Sequence, residues 1–212
     1  MPPRLAVHSV EDMKALTLIL AFLPLIAFSL LSRFLPHGYI GIAGLAAALI
    51  ALIAILTSHP VWPPKILNTC SLVLFSLIAV LGFTLGKADD RWLATWGGAG
   101  VGLILGLIIL ALVPVMPFTE QFAREPTPQA YWASPTFKKI NRVLSTAWGL
   151  AIFGIGLSRV AAAAINGHTS RRLPELLLGL AIPAVIVIYM LKFSKSYPDR
   201  VTHAPAEVPA SR

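Results

Sequence analysis

Residues 114–142 read PVMPFTEQFAREPTPQAYWASPTFKKINR and form the long polar segment that divides the hydrophobic sequence into two blocks. Four apolar stretches precede this segment and two follow it. The segment holds two Glu, four Lys or Arg and several prolines, and prolines oppose a continuous helix. We therefore expect it to be the main loop of the protein, and the place where its particular function lies.

The composition of the chain predicts a membrane protein. Hydrophobic residues make up 57% of the sequence and charged residues only 12%, against about 25% charged residues in an ordinary soluble domain. Such a chain cannot cover a water-facing surface with polar groups, so its solvent is expected to be lipid. Cys70 is the single cysteine, which excludes an internal disulfide and a cysteine-based metal cluster.

Each apolar stretch has roughly the 20 residues that a helix needs to cross a bilayer. The predicted spans are residues 15–35, 39–56, 66–86, 92–113, 143–164 and 173–191. The predicted fold class is all-α: a polytopic transmembrane bundle of about six spans, with a short interfacial helix between the fourth and fifth spans. Pro24 and Pro183 predict kinks within the first and last spans, because proline removes a backbone hydrogen bond.

The two ends of the chain are expected to be tails. Residues 1–14 are predicted to be a cytoplasmic tail, and the Pro-rich residues 192–212 a disordered cytoplasmic tail. The first apolar stretch is interpreted as a retained helix rather than a signal peptide. Acidic Glu11 and Asp12 precede it, and no small-x-small cleavage site follows before Arg33.

The distribution of basic residues predicts the orientation. The termini, the second loop and residues 114–142 share one side and carry 11 Lys or Arg, whereas the other side carries 6. Because Lys and Arg accumulate in cytoplasmic loops, both termini and the main loop are expected in the cytoplasm, with the protein in the bacterial inner membrane. The net charge of +8 does not indicate nucleic-acid binding, since no basic run is longer than two residues.

A glycine motif marks the fourth span. Gly98, Gly102 and Gly106 recur every four residues and so form a groove along one helix face. Such a groove lets another helix backbone approach closely. It predicts helix packing, either within the protein or against a partner, which includes a second copy of the chain.

Aromatic and charged residues within the main loop are candidates for surface contacts. Phe118 and Phe122 lie four residues apart on a predicted short helix over residues 117–124, and Glu120 and Arg124 form an i,i+4 pair. A second cluster follows, formed by Tyr131, Trp132, Phe137, Lys138, Lys139 and Arg142. Aromatic groups beside basic ones are typical of segments that lie against anionic headgroups. The pattern equally fits docking of another protein, with interfacial anchoring as the favoured interpretation.

The sequence shows no pattern that indicates catalysis, a cofactor or a metal site. The five histidines, His8, His37, His59, His168 and His203, all fall in predicted tails or turns. They therefore offer neither a haem-binding pair nor zinc-ligand spacing. Arg33 and Arg159 are the ionisable residues that lie deepest in the spans, and each is interpreted as an anchor near a helix end. This pattern opposes a proton-driven transporter but leaves a passive pore or carrier open.

Three short motifs stand out in the apolar stretches and the main loop. They are LAFLPLIAF at residues 20–28, Met116-Pro117 before a short polar helix, and the succession Trp132, Asn141, Trp148, Phe153 and Gly156. Together they resemble the bacterial intracellular septation protein A family of inner-membrane proteins. A separate bacterial inner-membrane family with the same layout is the alternative. The resemblance implies a non-enzymatic role through contacts with other membrane proteins, and it adds Asn141 and Trp148 to the interfacial or docking set.

These observations lead to three hypotheses for the function. The first is a scaffold or accessory factor in cell-envelope synthesis or septation, which binds anionic lipid headgroups and other inner-membrane proteins. The second is a transporter or channel for a small solute. The third is a lipid- or quinone-linked membrane enzyme or accessory subunit.

Overall fold

The computed structural model of the chain describes residues 20–36, 38–57, 65–85, 87–166, 173 and 176–202, with the backbone alone for residues 87–91. Seven α-helices lie in these residues: α1 (Leu23–Phe34), α2 (Ile40–Thr57), α3 (Ile66–Thr84), α4 (Lys87–Leu112), α5 (Phe118–Ala123), α6 (Pro135–Asn166) and α7 (Ile182–Thr202). A 3₁₀ turn spans Gln129–Tyr131, and a π-helical turn spans Leu177–Ala181. The described residues contain no strand, so the all-α prediction is confirmed.

The helices have the lengths and composition of a membrane protein. Five segments are long and apolar enough to cross a bilayer: Ile40–Thr57, Ile66–Thr84, Trp92–Leu112, Pro135–Ile165 and Leu177–Thr202. These helices are compatible with an integral membrane protein. The sequence predicted six spans. The helix α1, within the predicted first span, is a shorter apolar helix of 12 residues, and residues 15–19 of that span lie outside the described part of the chain.

A tight turn at Gly38 joins the first two helices, in the short gap between the predicted spans 15–35 and 39–56. Gly38 has a φ of 108°, a backbone conformation that side chains with a Cβ rarely adopt. The N–H of Tyr39 donates to the carbonyl of Pro36 at 3.2 Å. Pro24 was predicted to kink the first span. Residues 20–21 are helical, residue 22 is a turn, and Pro24 lies in the first turn of α1, so the helix is interrupted beside this proline. A proline costs no hydrogen bond there, because the first N–H groups of a helix have no partner within it.

The helices α2 and α3 form a closely packed antiparallel pair. A Cβ added to Gly82 would lie 2.5 Å from the backbone nitrogen of Gly41, and one added to Gly44 would lie 2.8 Å from the nitrogen of Ala79. Only glycine therefore permits the two backbones to be this close. Three alanines of α2, Ala43, Ala47 and Ala51, are also fully buried.

A second pair is formed by α4 and α6. A Cβ on Gly102 would lie 2.9 Å from the Cα of Gly156, and one on Gly106 would lie 2.7 Å from the nitrogen of Phe153. The structure thus places Gly102 and Gly106 against a helix of the same chain. This part of the glycine groove is covered and offers no free surface to a partner.

The antiparallel order gives the bundle two ends. The first, which we call the α5 end, carries α5 and the beginnings of α3 and α6. The other, which we call the arginine end, carries Arg33 at the end of α1 and the π-helical turn before α7. The helix α7 packs mainly on α6, and only 11% of its span is buried.

Two helices are longer than the sequence predicted. The helix α6 begins at Pro135 rather than at residue 143. The N–H of Phe137 donates to Ser134 Oγ at 3.2 Å, so Ser134 caps the helix and Pro135 occupies its first position. The helix α7 continues to Thr202, whereas residues 192–212 were predicted to be disordered. Residues 203–212 lie outside the described part.

Contacts between aromatic rings stabilise the part of α7 that extends beyond the predicted span. The rings of Tyr189 and Phe193 are 6.4 Å apart, and those of Phe193 and Tyr197 are 5.2 Å apart. These residues are spaced four apart, and pairs at this spacing stabilise a helix.

The contact between α4 and α6 predicts a selective sensitivity to added methyl groups. We expect Gly102→Ala to lower the free energy of unfolding by about 1–3 kcal/mol, because the new Cβ must push two backbones apart. Gly100 is the matched control on the same helix, since a Cβ there meets nothing within 4 Å. We expect Gly100→Ala to be neutral or stabilising by up to about 1 kcal/mol. Unfolding in detergent micelles measures both, and equal stabilities would contradict the packing.

Candidate functional site

The short helix α5 lies where the sequence predicted a helix, but it is seated on the bundle. The side chain of Phe118 is 2% exposed and packs in a core cluster with Leu67, Ile109 and Trp148. Phe122 meets Phe118 edge to face, with ring centroids 6.3 Å apart. Aromatic rings that were predicted to contact headgroups or a partner are therefore used largely in packing within the chain.

Thr119 joins α5 to α6 through a buried polar network. Its N–H donates to Ser145 Oγ at 3.1 Å, and its hydroxyl donates to the carbonyl of Asn141 at 2.9 Å. The hydroxyls of Thr119 and Ser145 are also 2.8 Å apart. Asn141 is 2% exposed, and its amide donates to the carbonyl of Phe137 at 2.9 Å. Asn141 thus belongs to the interior and not to a docking surface.

The charged residues near α5 are paired with one another. Arg124 donates to Glu120 at 2.6 Å, and Lys65 lies 2.7 Å from a carboxylate oxygen of Glu125. Arg124 also lies over the ring of Trp132, 5.0 Å from its centroid. Lys65 and Glu125 hold the main loop against the beginning of α3. The Glu120–Arg124 pair is the one that the sequence predicted.

Trp148 connects three helices at the centre of the bundle. Its side chain is 2% exposed and stacks on Phe22, with ring centroids 4.6 Å apart. Its indole N–H donates to Ser194 Oγ on α7 at 2.9 Å. Trp148 was predicted to lie at an interface, and the structure assigns it to packing and hydrogen bonding inside the chain.

Four of the predicted contact residues remain on the surface. Tyr131 is 61% exposed, and Lys138, Lys139 and Arg142 are exposed on the first turns of α6. We call these four residues the basic face. The sequence placed the three cations in a loop, but the cap at Ser134 puts them on a regular helix, so their spacing is fixed.

A second polar cluster, at the arginine end, was not predicted from the sequence. Arg159 reaches from α6 to α1, where its Nη2 donates to Ser29 Oγ. A Cβ added to Gly98 would lie 2.7 Å from Arg159 Nη1. Gly98 therefore makes room for the arginine side chain and does not contact a helix backbone. Arg159 was interpreted as an anchor near a helix end, but its side chain lies among α1, α4 and α6.

The π-helical turn before α7 supplies carbonyl acceptors to this cluster. The N–H of Ile182 bonds to the carbonyl of Leu177, five residues back, so the carbonyl of Leu178 is free to accept from Ser158 Oγ at 2.6 Å. Pro183 has no N–H for the carbonyl of Gly179, and Arg33 Nη2 donates to that carbonyl instead. The sequence contains two signals for this cluster. One is an arginine inside a predicted span, and the other is a proline four residues after a glycine in another span.

The described residues contain no group of three or more His, Cys, Asp or Glu that could hold a metal ion. All five histidines lie outside the described residues. Cys70 is a free thiol on α3, partly buried beside the core cluster that contains Phe118.

Comparison of the chain with known proteins finds no similar protein. The chain matches no family model, and the searches of curated proteins and of solved structures find no match. Membership of the septation protein A family therefore stays a prediction from the sequence motifs.

The network around Thr119 predicts a cost for removing its hydroxyl. We expect Thr119→Val to lower the free energy of unfolding by about 1–3 kcal/mol, because buried oxygens of Asn141 and Ser145 lose a partner. Thr146→Val is the matched control, since the exposed Thr146 hydroxyl bonds only to the carbonyl of Arg142 four residues back. Thermal unfolding of the purified variants compares them. A Thr119→Val protein as stable as the Thr146→Val protein would contradict the role of the network.

Proposed function

We propose that this chain is a non-enzymatic accessory protein of the bacterial inner membrane. With both termini in the cytoplasm, it docks another membrane protein engaged in envelope synthesis or septation. The basic face is the observation that carries this proposal. It combines the exposed ring of Tyr131 with three exposed cations on the first turns of α6. Aromatic and arginine side chains are enriched where proteins bind one another.

The partner surface that fits the basic face is acidic. Lys138 and Arg142 are four residues apart and share one side of α6, with Lys139 beside them. No salt bridge to any of these cations forms within the described residues. An acidic cytoplasmic segment of a membrane partner would supply the missing charge and would orient the complex.

The packing of α5 favours a protein partner over lipid headgroups. Insertion into the headgroup region depends on apolar area that the protein leaves free. Here Phe118 is buried in the core, Phe122 lies under Lys65 at 4.7 Å, and Trp132 lies under Arg124. The main loop therefore presents charge, with Tyr131 as its exposed aromatic side chain and Val115 as its exposed aliphatic one. The other aromatic rings are not free to insert.

The ordered backbone beneath the basic face supports a docking role. The indole N–H of Trp132 donates to the carbonyl of Thr127 at 2.8 Å, which closes the loop on itself. Ser134 caps α6 directly after this loop, so the cations lie on a regular helix. A backbone that is already ordered loses less conformational entropy on binding than a mobile one, which favours affinity.

Photo-crosslinking in native membranes tests the proposed docking. A photoreactive residue at Lys139 is expected to capture a specific membrane partner, and the double variant Lys138→Glu with Arg142→Glu is expected to abolish that capture. The same residue at Leu150, an exposed apolar position on α6, is the control and is expected to capture lipid. Mass spectrometry identifies the adducts. Lipid adducts alone at Lys139 would contradict docking and favour headgroup anchoring.

A further inference from the structure

Two arginines meet along one face of α1 at the arginine end. Arg33 belongs to α1 itself, and Ser29, four residues earlier, lies on the same side of the helix. Arg159 donates to Ser29 Oγ, and Arg33 donates to the carbonyl of Gly179. The guanidinium group of Arg159 therefore lies on the side of α1 that carries both Ser29 and Arg33.

The side chains that the structure describes supply no carboxylate to offset these charges; Asp89 and Asp90, at the beginning of α4, are described by their backbone alone. Of the described carboxylates, Glu120 pairs with Arg124 and Glu125 pairs with Lys65, both at the α5 end. Asp199 lies near the end of α7, about 25 Å along the helix from Ile182. Arg33 and Arg159 thus form no salt bridge with the described part of the chain.

The position of Arg159 makes the absence of a negative counter-charge energetically costly. Its Nε is buried and has no hydrogen-bond partner among the described residues. The residue lies seven positions before Asn166, so it is about 10 Å from the end of α6. A charged group at this depth in an apolar bundle is expensive unless an opposite charge or acceptors are supplied.

We propose that Arg33, Arg159 and Ser29 bind a phosphate group, from either a lipid headgroup or a phosphorylated solute. A guanidinium presents paired N–H donors that match two oxygens of one phosphate, and two such groups match its charge. Ser29 accepts from Arg159 and donates to no acceptor in the described part of the chain, so its own proton is available. The buried Nε of Arg159 supplies a further donor.

The two arginines of the site differ in their exposure. Arg33 is exposed and lies in the last turn of α1, one residue before the end of the helix. Arg159 is partly covered, with Gly98 leaving room for its side chain. A phosphate at the end of the bundle therefore meets Arg33 first and reaches Arg159 deeper in the same cluster.

The test measures stabilisation of the purified full chain by defined phosphate compounds. The delipidated protein in an uncharged detergent is titrated with inorganic phosphate, and separately with phosphatidylglycerol, with diacylglycerol as the phosphate-free control. We expect a rise in the unfolding temperature with at least one phosphate compound and none with diacylglycerol. A response to inorganic phosphate indicates a soluble ligand, and a response to phosphatidylglycerol alone indicates a headgroup. No response to either would overturn the proposal.

Substitutions locate the binding. Arg33→Gln and Arg159→Gln are each expected to weaken the phosphate response by about 10- to 100-fold, as for loss of a charged hydrogen bond. Arg200→Gln removes the same charge from the exposed last turn of α7, outside both the arginine cluster and the basic face, and is expected to leave the response unchanged. Because Arg33 is exposed, its variant keeps the test valid if Arg159→Gln fails to fold. An equal loss in the Arg200 variant would show non-specific charge binding and would overturn the proposal.

Internal counter-ions must be separated from an external phosphate. Glu175 lies outside the described residues, but the sequence places it four positions before Gly179, whose carbonyl accepts from Arg33. Asp89 and Asp90, at the beginning of α4, are described by their backbone alone. If one of these carboxylates neutralises the arginines, the unaltered protein will not respond to phosphate, and the matching variant, Glu175→Gln, Asp89→Asn or Asp90→Asn, will. That result would overturn the proposal. A phosphate response in the unaltered protein that persists in all three variants supports it.

Discussion

The contact between the backbones of α4 and α6, where Gly102 faces Gly156, is the constraint on which the rest of the bundle depends. Lipid tails are as apolar as the helices, so hydrophobic burial does not drive spans together within a bilayer. Dispersion contacts and hydrogen bonds replace it, and dispersion falls steeply with separation. Because Gly102 and Gly156 have no side chains, the two backbones and their neighbouring side chains come within range of dispersion contacts.

This contact also fixes the rotation of α6 and so connects the two polar ends. One face of α6 carries six residues at intervals of three or four positions: Asn141, Ser145, Trp148, Ile152, Gly156 and Arg159. Such spacing places them in one stripe along the helix. The face that meets α4 through Gly156 therefore meets Thr119 at one end and Ser29 at the other. The main loop and the arginine cluster are held by a single rigid helix.

The sequence predicted the parts of this structure that follow from apolar length. Spans of roughly 20 apolar residues, the turn at Gly38 and the Glu120–Arg124 helix each depend on neighbours in the chain, which a single sequence contains. The start of α6 was missed because the cap Ser134 and Pro135 lie within polar sequence that was assigned to the loop.

Contacts between distant helices could not be derived in the same way. Whether Gly98 faces a backbone or Arg159 depends on the rotation of two helices whose sequences lie 61 positions apart. The same reasoning applies to Phe118 and Trp148, whose aromatic rings fit a membrane interface or a core equally well. Gly102 and Gly106 correctly indicated a close approach, but their spacing does not say whether the partner helix belongs to the same chain.

Disulfide trapping between α4 and α6 tests this account most directly. A Cβ at position 149 would lie 2.9 Å from Leu110 Cγ, and the Cβ of one cysteine lies about 3 Å from the sulfur of its disulfide partner. Leu110→Cys with Gly149→Cys, in a Cys70→Ala background, is therefore expected to form a disulfide within one chain on mild oxidation in native membranes. The oxidised protein should run as a monomer with altered mobility on a non-reducing gel. A disulfide-linked dimer, or free thiols alone, would contradict the account.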